Sequence, residues 1–478
     1  MTYYLLHGNQ SSALRLARRT PRLTAVRELP HIAADDVVIR FGNQKGDDGG
    51  HWTVNRLEAL AIAKSRAHMA RVLAAAGVKA ASAAGLAGGR AQYVRYYQVP
   101  VFDLRPLSCF RTEAKHIWLG RRIAEVVDSF TELTGEYDEQ ARRVSLLAVR
   151  AVHALGLEFA LVSLAVNPYG RPVIVDVSPT PVLRGRVLEL YAEACGEYID
   201  AMERSRVGPP ANFLLGTDLE FMLKGKHGKI VLASRFFSPK GVVGCDERSL
   251  GGDRSKRPLA ELRPEPARTP EELCQNIEAA IQLANRRTPR PFPQWMAGSA
   301  PFDRFPIGGH IHFSGIPYTS RLIHLLDVYI GLPLMLIEDP VTAVRRRPRY
   351  GFLGDIRHKG YGGFEYRTPA SFLVDPDIAL GALSLAYLTA LNQHALPYFP
   401  LHREESMQAF YRSDRDSLLP LVESVRAELR RLPQYARYRD AVEPIFTMIQ
   451  NDEVWDEAID VRTAWGIELK AARRGRTA

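Results

Sequence analysis

Residues 305–315 read FPIGGHIHFSG, and this stretch decides how the second half of the chain is interpreted. Two histidines, His310 and His312, flank one isoleucine behind a pair of glycines. The apolar residues around them are typical of a buried strand. Side chains two residues apart in a strand point to the same face of the sheet. The stretch therefore predicts a strand over 309–314 that presents two imidazoles side by side.

Three other segments show the same alternation of polar and apolar residues. TDLEFML pairs Asp218 with Glu220, AELRP pairs Glu261 with Arg263, and GFEYRTP pairs Glu365 with Arg367. In each segment the residues between and beside the pair are apolar and point the other way. Four strands are therefore predicted to give one sheet a charged face and an apolar face.

The charged face predicts a site for divalent cations and phosphate. Several carboxylates on one dry face would repel each other and raise their pKa values. Mg²⁺ or Mn²⁺ would remove that cost, because both prefer carboxylate oxygens as ligands. Arginines on the same face suit phosphate through their planar fork of donors. The combination indicates a metal–nucleotide site for phosphoryl transfer, and an ordinary solvent-facing side of a sheet is the simpler alternative.

The second half of the chain mixes strand and helix patterns. Strands are predicted at 217–223, 229–234, 259–263, 309–314 and 363–367, and helices at 270–286, 319–337, 375–396 and 415–431. This order predicts an α+β fold in which helices cover one face of an antiparallel or mixed sheet. A Gly-Pro-Pro stretch within 205–218 follows a long helical pattern and is typical of a domain boundary. We predict two domains, residues 1–205 and 211–478.

Four motifs in order, GTDLEF, ELRPEP, GGHIHFSG and FEYRTPASF, resemble the phage-type COOH·NH2 ligase (type 2) family. That family is placed in the glutamine synthetase and γ-glutamylcysteine ligase superfamily, and the resemblance covers residues 210–400. It implies a glutamine-synthetase-like antiparallel sheet with helices on one face. It also implies an ATP-dependent ligase that forms an amide through an acyl phosphate and releases ADP and phosphate. The substrates implied are small-molecule or peptide carboxylates and amines.

The resemblance also implies a role for individual residues. The implied metal ligands are Asp218, Glu220, Glu261, Glu365 and one of the two histidines, His310 or His312, of which the other would meet phosphate. The residues implied to contact phosphate or a substrate carboxylate are Arg263, Arg357 and Arg367, and those implied to hold the nucleotide are Arg357, Lys359 and His312. The cofactors implied are ATP and Mg²⁺ or Mn²⁺. Which histidine binds the metal stays open.

The first half resembles an ATP-grasp protein over residues 36–185. The segments that carry the resemblance are NRLEALAIAKSRAHMARVLAAAGV, RYYQVPVFDLRP and ALGLEFALVSLAVNPYGRPVIVDVSPTPVL. Where that family has metal-binding acids and an asparagine, this chain has Ser163, Asp176 and Ser178, and serine is a poor Mg²⁺ ligand beside a carboxylate. The interval from Lys64 to Arg95 is also short for a nucleotide-covering lobe. We therefore predict a degenerate ATP-grasp-like α/β domain that is structural or binds substrate.

The charge and amino-acid composition of the chain limit the kinds of binding partner that are expected. The net charge is +10, partly from RRRPR at 345–349 and the tail KAARRGRTA, which fits phosphate-bearing small molecules or nucleic acid. Zinc-finger spacing and an aromatic RNA-binding signature are absent from the sequence, so no nucleic-acid partner is expected. The four cysteines lack paired spacing, the N-terminus lacks a signal-peptide pattern, and the longest apolar run is too short for a bilayer. We expect a cytoplasmic enzyme without a membrane partner, in an oligomeric state that the sequence does not indicate.

Three alternative functions fit parts of the same pattern. A zinc hydrolase would use the H-x-H pair with distant acids, but it would need further histidines, and His324 and His358 lie in no ligand-like pair. An ATP-dependent phosphotransferase on the same fold would release a phosphorylated amine and no amide. A non-catalytic nucleotide-binding scaffold would have lost acids from the charged face, whereas the three strands that carry acids retain them and the fourth carries both histidines.

Overall fold

The computed structural model describes residues 1–42, 48–49, 52–81, 93–119, 122–127, 130–135, 137–206, 212–289, 292–360 and 362–467. The chain divides into two compact units. Residues 1–206 with 400–408 form the first unit, and residues 207–399 with 409–478 form the second. The division after residue 206 falls within the Gly-Pro-Pro stretch from which the domain boundary was predicted. Among the described helices, none has the length and apolar character needed to span a bilayer.

The first unit begins with a small parallel sheet in the order β2-β1-β3-β4. Its elements are β1 (Tyr3–His7), α1 (Ser11–Arg19), β2 (Leu23–Val26), β3 (Val37–Phe41), β4 (Trp52–Val54), α2 (Leu57–Lys64) and α3 (Arg66–Ala75). Strand β3 is buried along its whole length, as expected for a parallel strand between neighbours. This arrangement agrees with the α/β character predicted for the first half.

The second sheet of the first unit is antiparallel, in the order β11-β10-β5-β7-β8, with β6 beside β5 and β9 beside β7. Its elements are β5 (Arg95–Phe102), β6 (Arg105–Pro106), β7 (Phe110–Leu119), β8 (Arg122–Val127), β9 (Thr131–Glu132), α4 (Glu139–Ala154), β10 (Phe159–Val166), β11 (Pro172–Ser178) and α5 (Gly185–Ser205). Ser163 of β10 lies opposite Asp176 of β11. Burial raises the pKa of Asp176, and Arg66 opposes this effect only in part.

The second unit is built on an eight-stranded antiparallel sheet. Its order is β14-β15-β12-β17-β19-β18, and β13 and β16 also pair with β12. The strands are β12 (Leu214–Lys224), β13 (Ile230–Val231), β14 (Val243–Cys245), β15 (Leu259–Leu262), β16 (Gln294–Met296), β17 (Gly309–Ser314), β18 (Ile356–His358) and β19 (Phe364–Tyr366). The four strands predicted to carry polar pairs are therefore neighbours, in the order β15-β12-β17-β19.

Helix α6 packs across β12, β14 and β15, and α10 packs on α13. The α-helices are α6 (Pro270–Arg287), α7 (Ser320–Leu326), α8 (Leu332–Leu336), α9 (Pro340–Arg346), α10 (Pro376–Leu391), α11 (Glu404–Arg412), α12 (Arg415–Arg430), α13 (Tyr435–Gln450) and α14 (Val461–Ala464), and short 3-10 turns lie at Ala233–Arg235 and Phe372–Val374. The structure confirms the predicted α+β class. The glutamine-synthetase-like arrangement of the sheet stays a proposal.

The helix predicted over 319–337 is interrupted by a π-helical segment, Asp327–Gly331. The buried Asp327 accepts a hydrogen bond of 2.8 Å from the Tyr366 hydroxyl and one of 2.9 Å from the Gly354 N–H. Such π segments are rare and occur mostly as single turns inside α-helices. The prediction of a continuous α-helix is wrong at this point, where Asp327 contacts Tyr366 of β19, a residue far away in sequence.

The strand register places the predicted polar residues on one face of the sheet. Asp218 lies opposite His310, Glu220 opposite Glu261, and Glu365 opposite both His312 and Arg357. Directly opposed residues of antiparallel strands point to the same face. The other face is apolar, where Phe221 stacks on Trp295 at 4.7 Å between ring centres and Phe313 stacks on Phe364 at 5.1 Å.

Candidate metal centre

The glycine pair at the start of β17, Gly308 and Gly309, allows a close approach between β17 and its neighbours. A Cβ atom on Gly308 would lie 2.4 Å from His310 Nε2, and one on Gly309 would lie 2.6 Å from the Ala370 carbonyl oxygen. Neither position has room for a side chain. The Gly308 N–H also donates a hydrogen bond of 2.7 Å to Glu220 Oε2. The pair therefore brings β17 against its neighbours and supplies a backbone donor to a buried carboxylate.

Two groups of potential metal ligands overlap on the charged face. One group is Asp218, Glu261 and His310, and the other is Asp218, His312 and Glu365. Within each group the candidate ligand atoms lie within 4.8 Å of one another. Asp218 belongs to both groups, so its carboxylate lies between two potential cation positions. Each histidine belongs to one group, which gives both imidazoles of the GGHIHFSG stretch a place in the site.

Contacts with basic groups keep two of the acids ionised. His312 Nε2 lies 3.0 Å from Asp218 Oδ2, His310 Nδ1 lies 3.0 Å from Glu365 Oε1, and Lys359 Nζ lies 2.7 Å from Glu365 Oε2. Burial alone would raise the pKa of Asp218, but the close contact with His312 and the charges of His310 and Lys359 lower it. Burial is likewise outweighed at Glu365, whose pKa falls to about 2 because of His310 and Lys359. Both carboxylates are therefore available to a cation at neutral pH.

Glu261 has the opposite electrostatic environment. Burial raises its pKa to about 8, the charges of Asp218 and Glu220 add to this rise, and Arg263 opposes it. Its strand neighbour Leu259 belongs to a small apolar cluster with Met222 and Ile307, and this cluster excludes water from that end of the face. A divalent cation between Glu261 and Asp218 would relieve the repulsion. The residues present therefore fit Mg²⁺ or Mn²⁺, since three carboxylates and two imidazoles supply the ligands.

This environment predicts an unusual dependence of stability on pH. Glu261 has a folded pKa of about 8 against an ordinary 4.5, so between these values the folded chain holds a proton that the unfolded chain has released. The contribution of Glu261 to the free energy of unfolding therefore falls as pH rises through this window. Melting curves without metal should show this fall in the wild type and not in Glu261→Gln, which stays neutral throughout. An equal pH dependence of both proteins would contradict the assignment.

Mg²⁺ should restore the stability that high pH removes, because the cation replaces the proton. We expect the rise in melting temperature on adding Mg²⁺ to be larger near pH 8 than near pH 6, where the cation must compete with the proton. Glu261→Gln should show a smaller rise at both values.

Glu220 lies beside the two ligand groups and is held by other partners. Its side chain is buried, at 1% exposure, and Oε1 accepts a hydrogen bond of 2.7 Å from Arg248. Oε2 accepts the Gly308 N–H, and the Tyr350 hydroxyl lies 3.3 Å from both oxygens. Among the described residues, Glu220 belongs to neither group of potential metal ligands. The metal-binding role predicted for it stays a prediction, and its contacts position it as an anchor for Arg248 and Tyr350.

Arg248 and Tyr350 are parts of the site that the sequence analysis missed. The Tyr350 hydroxyl lies 2.8 Å from His310 Nε2. Its ring is faced by three guanidinium groups, those of Arg346 at 5.0 Å, Arg248 at 5.2 Å and Arg367 at 5.6 Å. Burial, with the nearby charge of Glu220, raises the pKa of Tyr350 above its usual range, so the phenol stays neutral. Both residues come from irregular segments, where no periodic pattern marks a side chain as part of a sheet face.

The basic residues predicted to bind phosphate differ in how exposed their side chains are and in how firmly other residues hold them. Lys359 is bound to Glu365, and Arg357 lies 3.5 Å from the same carboxylate with 58% of its side chain exposed. Arg367 is more enclosed, with Nη1 3.6 Å from Glu365 Oε1. Arg263 is held by Glu261 and by the backbone oxygens of residues 239 and 241. The structure therefore gathers Arg357, Lys359 and Arg367 around one acid and places Arg263 at the other end of the face.

The sequence of the second unit matches a family of ligases. The sequence profile of the phage phiEco32-like COOH·NH2 ligase-type 2 family matches residues 215–467, which is more than half of the chain and includes every predicted site residue. The chain belongs to this family. The prediction of an amide-forming carbon–nitrogen ligase is confirmed at the level of the family.

Solved ATP-grasp ligases also match the chain at low similarity. D-alanine–D-alanine ligase from Bacillus anthracis is 12% identical with a TM-score of 0.31, over 43% of this chain and 98% of that chain. A bifunctional glutathione synthetase from Pasteurella multocida is 11% identical with a TM-score of 0.33, over 53% of this chain and 51% of that chain. A RimK-domain ATP-grasp protein from Sphaerobacter thermophilus is 13% identical with a TM-score of 0.29, over 41% and 98%. No curated protein matches the sequence significantly.

Proposed function

We propose that this protein is an ATP-dependent ligase that joins a carboxylate to an amine through an acyl phosphate, with ADP and phosphate as the other products. The observation that carries the proposal is the pair of ligand groups that share Asp218 on one face of an antiparallel sheet. Arg357 and Lys359 adjoin that face through Glu365. Amide formation from a carboxylate is uphill in water, and coupling to ATP makes it favourable.

Each part of the site has a role in this proposal. The residues that would hold Mg²⁺ or Mn²⁺ are Asp218, Glu261, His310, His312 and Glu365, with Glu220 behind them. The cations would neutralise phosphate charge and bring the reacting groups together. Arg357 and Lys359 would bind phosphate oxygens of ATP, because they adjoin the acids and come from the edge strand and the turn after it. Arg367 and Arg263 would contact phosphate or the substrate carboxylate.

The reaction takes place in two steps. An oxygen of the substrate carboxylate attacks the γ-phosphorus of ATP, the bond to the bridging oxygen breaks, and ADP leaves. The nitrogen of the amine then attacks the acyl carbon, phosphate leaves, and the proton lost by the amine passes to that phosphate. The protein contributes orientation and charge neutralisation in both steps.

The fold enters the proposal in two ways. The second unit is proposed to be a glutamine-synthetase-like catalytic domain, supported by its antiparallel sheet with acids on one face. The first unit is proposed to be a degenerate ATP-grasp-like domain, supported by the serine opposite Asp176 where that family carries ligands.

The proposal is tested by supplying ATP and Mg²⁺ with pooled carboxylates and amines, and by following ADP release and new amides by mass spectrometry. A carboxylate labelled with heavy oxygen should transfer one labelled oxygen to the released phosphate, which reports the acyl phosphate. A phosphorylated amine without an amide would instead show a phosphotransferase. Hydrolysis of amides in a parallel reaction without ATP would instead show the zinc hydrolase alternative.

Asp176 provides a test of the first unit. Asp176→Ala is expected to leave ATP turnover close to that of the wild type, because Ser163 and Ser178 stand where partner ligands would be needed. Steady-state ADP release from both proteins is the measurement. A loss of about a hundredfold with an unchanged melting temperature would show a working nucleotide site in the first unit.

A further inference from the structure

The basic run RRRPR at 345–349 contains arginines in different environments. Arg345 is half exposed and pairs with Asp303 at 2.5 Å. Arg346 and Arg347, at the end of α9, are buried, with 0% and 3% exposure. A buried arginine needs partners for several N–H groups, since it keeps its charge. The partners of these two residues show what the run contributes to the site.

Arg346 donates hydrogen bonds to backbone oxygens of two separate segments, one before β17 and one after β19. Nε donates to Ile307 at 2.8 Å, Nη1 to Thr368 at 2.7 Å, and Nη2 to Pro369 at 2.7 Å. A weaker bond of 3.3 Å runs from Nη2 to the Arg367 oxygen. One guanidinium therefore links the residues that lead into β17 with those that follow β19.

Both segments carry groups of the candidate metal centre. Ile307 precedes Gly308, whose N–H holds Glu220. Arg367 lies two residues after Glu365, and Thr368 and Pro369 follow Arg367 directly. The Gly309 N–H donates to the same Pro369 oxygen at 3.2 Å, so the two segments also contact each other directly where Arg346 binds them. One side chain thus binds the backbone beside Gly308, which holds Glu220, and the backbone at and after Arg367.

The neighbours of Arg346 hold it in place. Arg347 forms a buried double hydrogen bond with Glu338, 2.6 Å at each oxygen, and also donates to the Gly351 oxygen at 3.2 Å. The ring of Tyr350 lies on the Arg346 guanidinium, and its hydroxyl contacts His310. Gly351 has a φ of +63°, and a Cβ there would lie 2.0 Å from Arg346 Nη1. The absence of a side chain at position 351 therefore leaves the space that the Arg346 guanidinium group occupies.

We propose that Arg346 is a positioning residue of the metal centre: by binding the backbone before β17 and after β19, it sets the places of Glu220, His310 and Arg367. The inference rests on the proposed function, because it assumes that His310 binds a cation and that Glu220 and Arg367 lie beside the metal ligands. Lysine cannot replace Arg346, since a single ammonium group cannot reach three carbonyl oxygens arranged around a planar fork.

The test compares Arg346→Lys with Arg345→Lys, the same substitution one residue earlier in an exposed position. Binding of Mn²⁺ alone is measured by the loss of the free-ion resonance signal, and melting curves and ATP turnover are recorded for each protein. We expect Arg346→Lys to bind Mn²⁺ about tenfold or more weakly at temperatures well below its melting point. We expect Arg345→Lys to match the wild type in affinity and melting temperature.

Each result decides the matter. Unchanged Mn²⁺ affinity in folded Arg346→Lys, even with a lower melting temperature, would show a purely structural role and overturn the inference alone. A wild type that binds no Mn²⁺ would overturn the proposed function and this inference with it. If Arg346→Lys does not fold, Gly351→Ala displaces the guanidinium without removing it and should also weaken Mn²⁺ binding. Unchanged affinity in that variant, or loss of the fold in both, would overturn the inference.

Discussion

Replacing Asp218 with asparagine should lower ATP-dependent turnover by about a hundredfold or more, which corresponds to a barrier higher by ~2.7 kcal/mol. Among the described residues, Asp218 is the one acid that belongs to both groups of potential metal ligands. The substitution keeps the shape of the side chain and removes the charge that both cation positions share. An amide oxygen is a weaker ligand for a hard divalent cation than a carboxylate oxygen.

Metal titration and turnover should be measured on the same preparation. Asp218→Asn should bind Mn²⁺ more weakly and with fewer ions per chain than the wild type. Asp440→Asn is the matched control, because Asp440 lies on α13 with 92% of its side chain exposed. The control should leave both measurements unchanged. Turnover within about twofold of the wild type in Asp218→Asn would contradict the assignment of a shared ligand.

The sequence predicted the parts of the site that depend on strand geometry. The strand expected over 309–314 is β17, Gly309–Ser314, and the one expected over 259–263 is β15, Leu259–Leu262. A period of two residues is a local property, so it identifies a charged face before any strand partner is known. For that reason, the alternation of His310 and His312 with Ile311 is enough to predict that both imidazoles lie on one face of the sheet.

The parts that the sequence did not reveal depend on contacts between distant segments. Arg248 binds Glu220 from 28 positions away, and Tyr350 reaches the same carboxylate from 130 positions away. Neither residue lies in a periodic segment. Arg346 belongs to a run of basic residues, a pattern that does not distinguish an exposed charge from a buried one bound to backbone oxygens. Asp327, which begins the π-helical segment Asp327–Gly331, likewise bonds a tyrosine on β19 that lies 39 positions away.

The charged face also combines two electrostatic environments that a list of acids would not separate. Glu365, with His310 and Lys359 against it, has a pKa of about 2, whereas the pKa of Glu261 is raised to about 8. The basic groups gather near Glu365, at the β18–β19 edge, and apolar residues adjoin Glu261. We therefore expect polyphosphate to bind at the Glu365 end, and we expect binding of a cation at the Glu261 end to release a proton.

Substitutions of His310 and His312 are expected to have the second large effect on turnover. A histidine packed in a core contributes stability, whereas a histidine that meets a bound metal–phosphate complex contributes rate. We expect His310→Ala and His312→Ala each to lower turnover by about tenfold or more, ~1.4 kcal/mol of barrier or above. The two need not be equal, because His310 also contacts Tyr350 and Glu365 while His312 contacts Asp218.

Melting curves and ATP consumption, measured together, distinguish a catalytic role of the two histidines from a structural one. His227→Ala is the control, since His227 lies exposed in the turn after β12 and should affect neither. His312→Ala should melt close to the wild type, because its side chain keeps 17% exposure and its partner Asp218 retains Lys359 nearby. His310→Ala should lose some stability as well as rate, since its imidazole is buried between Glu365 and Tyr350. If both variants melt much earlier while the remaining folded protein turns over at the normal rate, the imidazoles serve the fold and GGHIHFSG is only a buried strand.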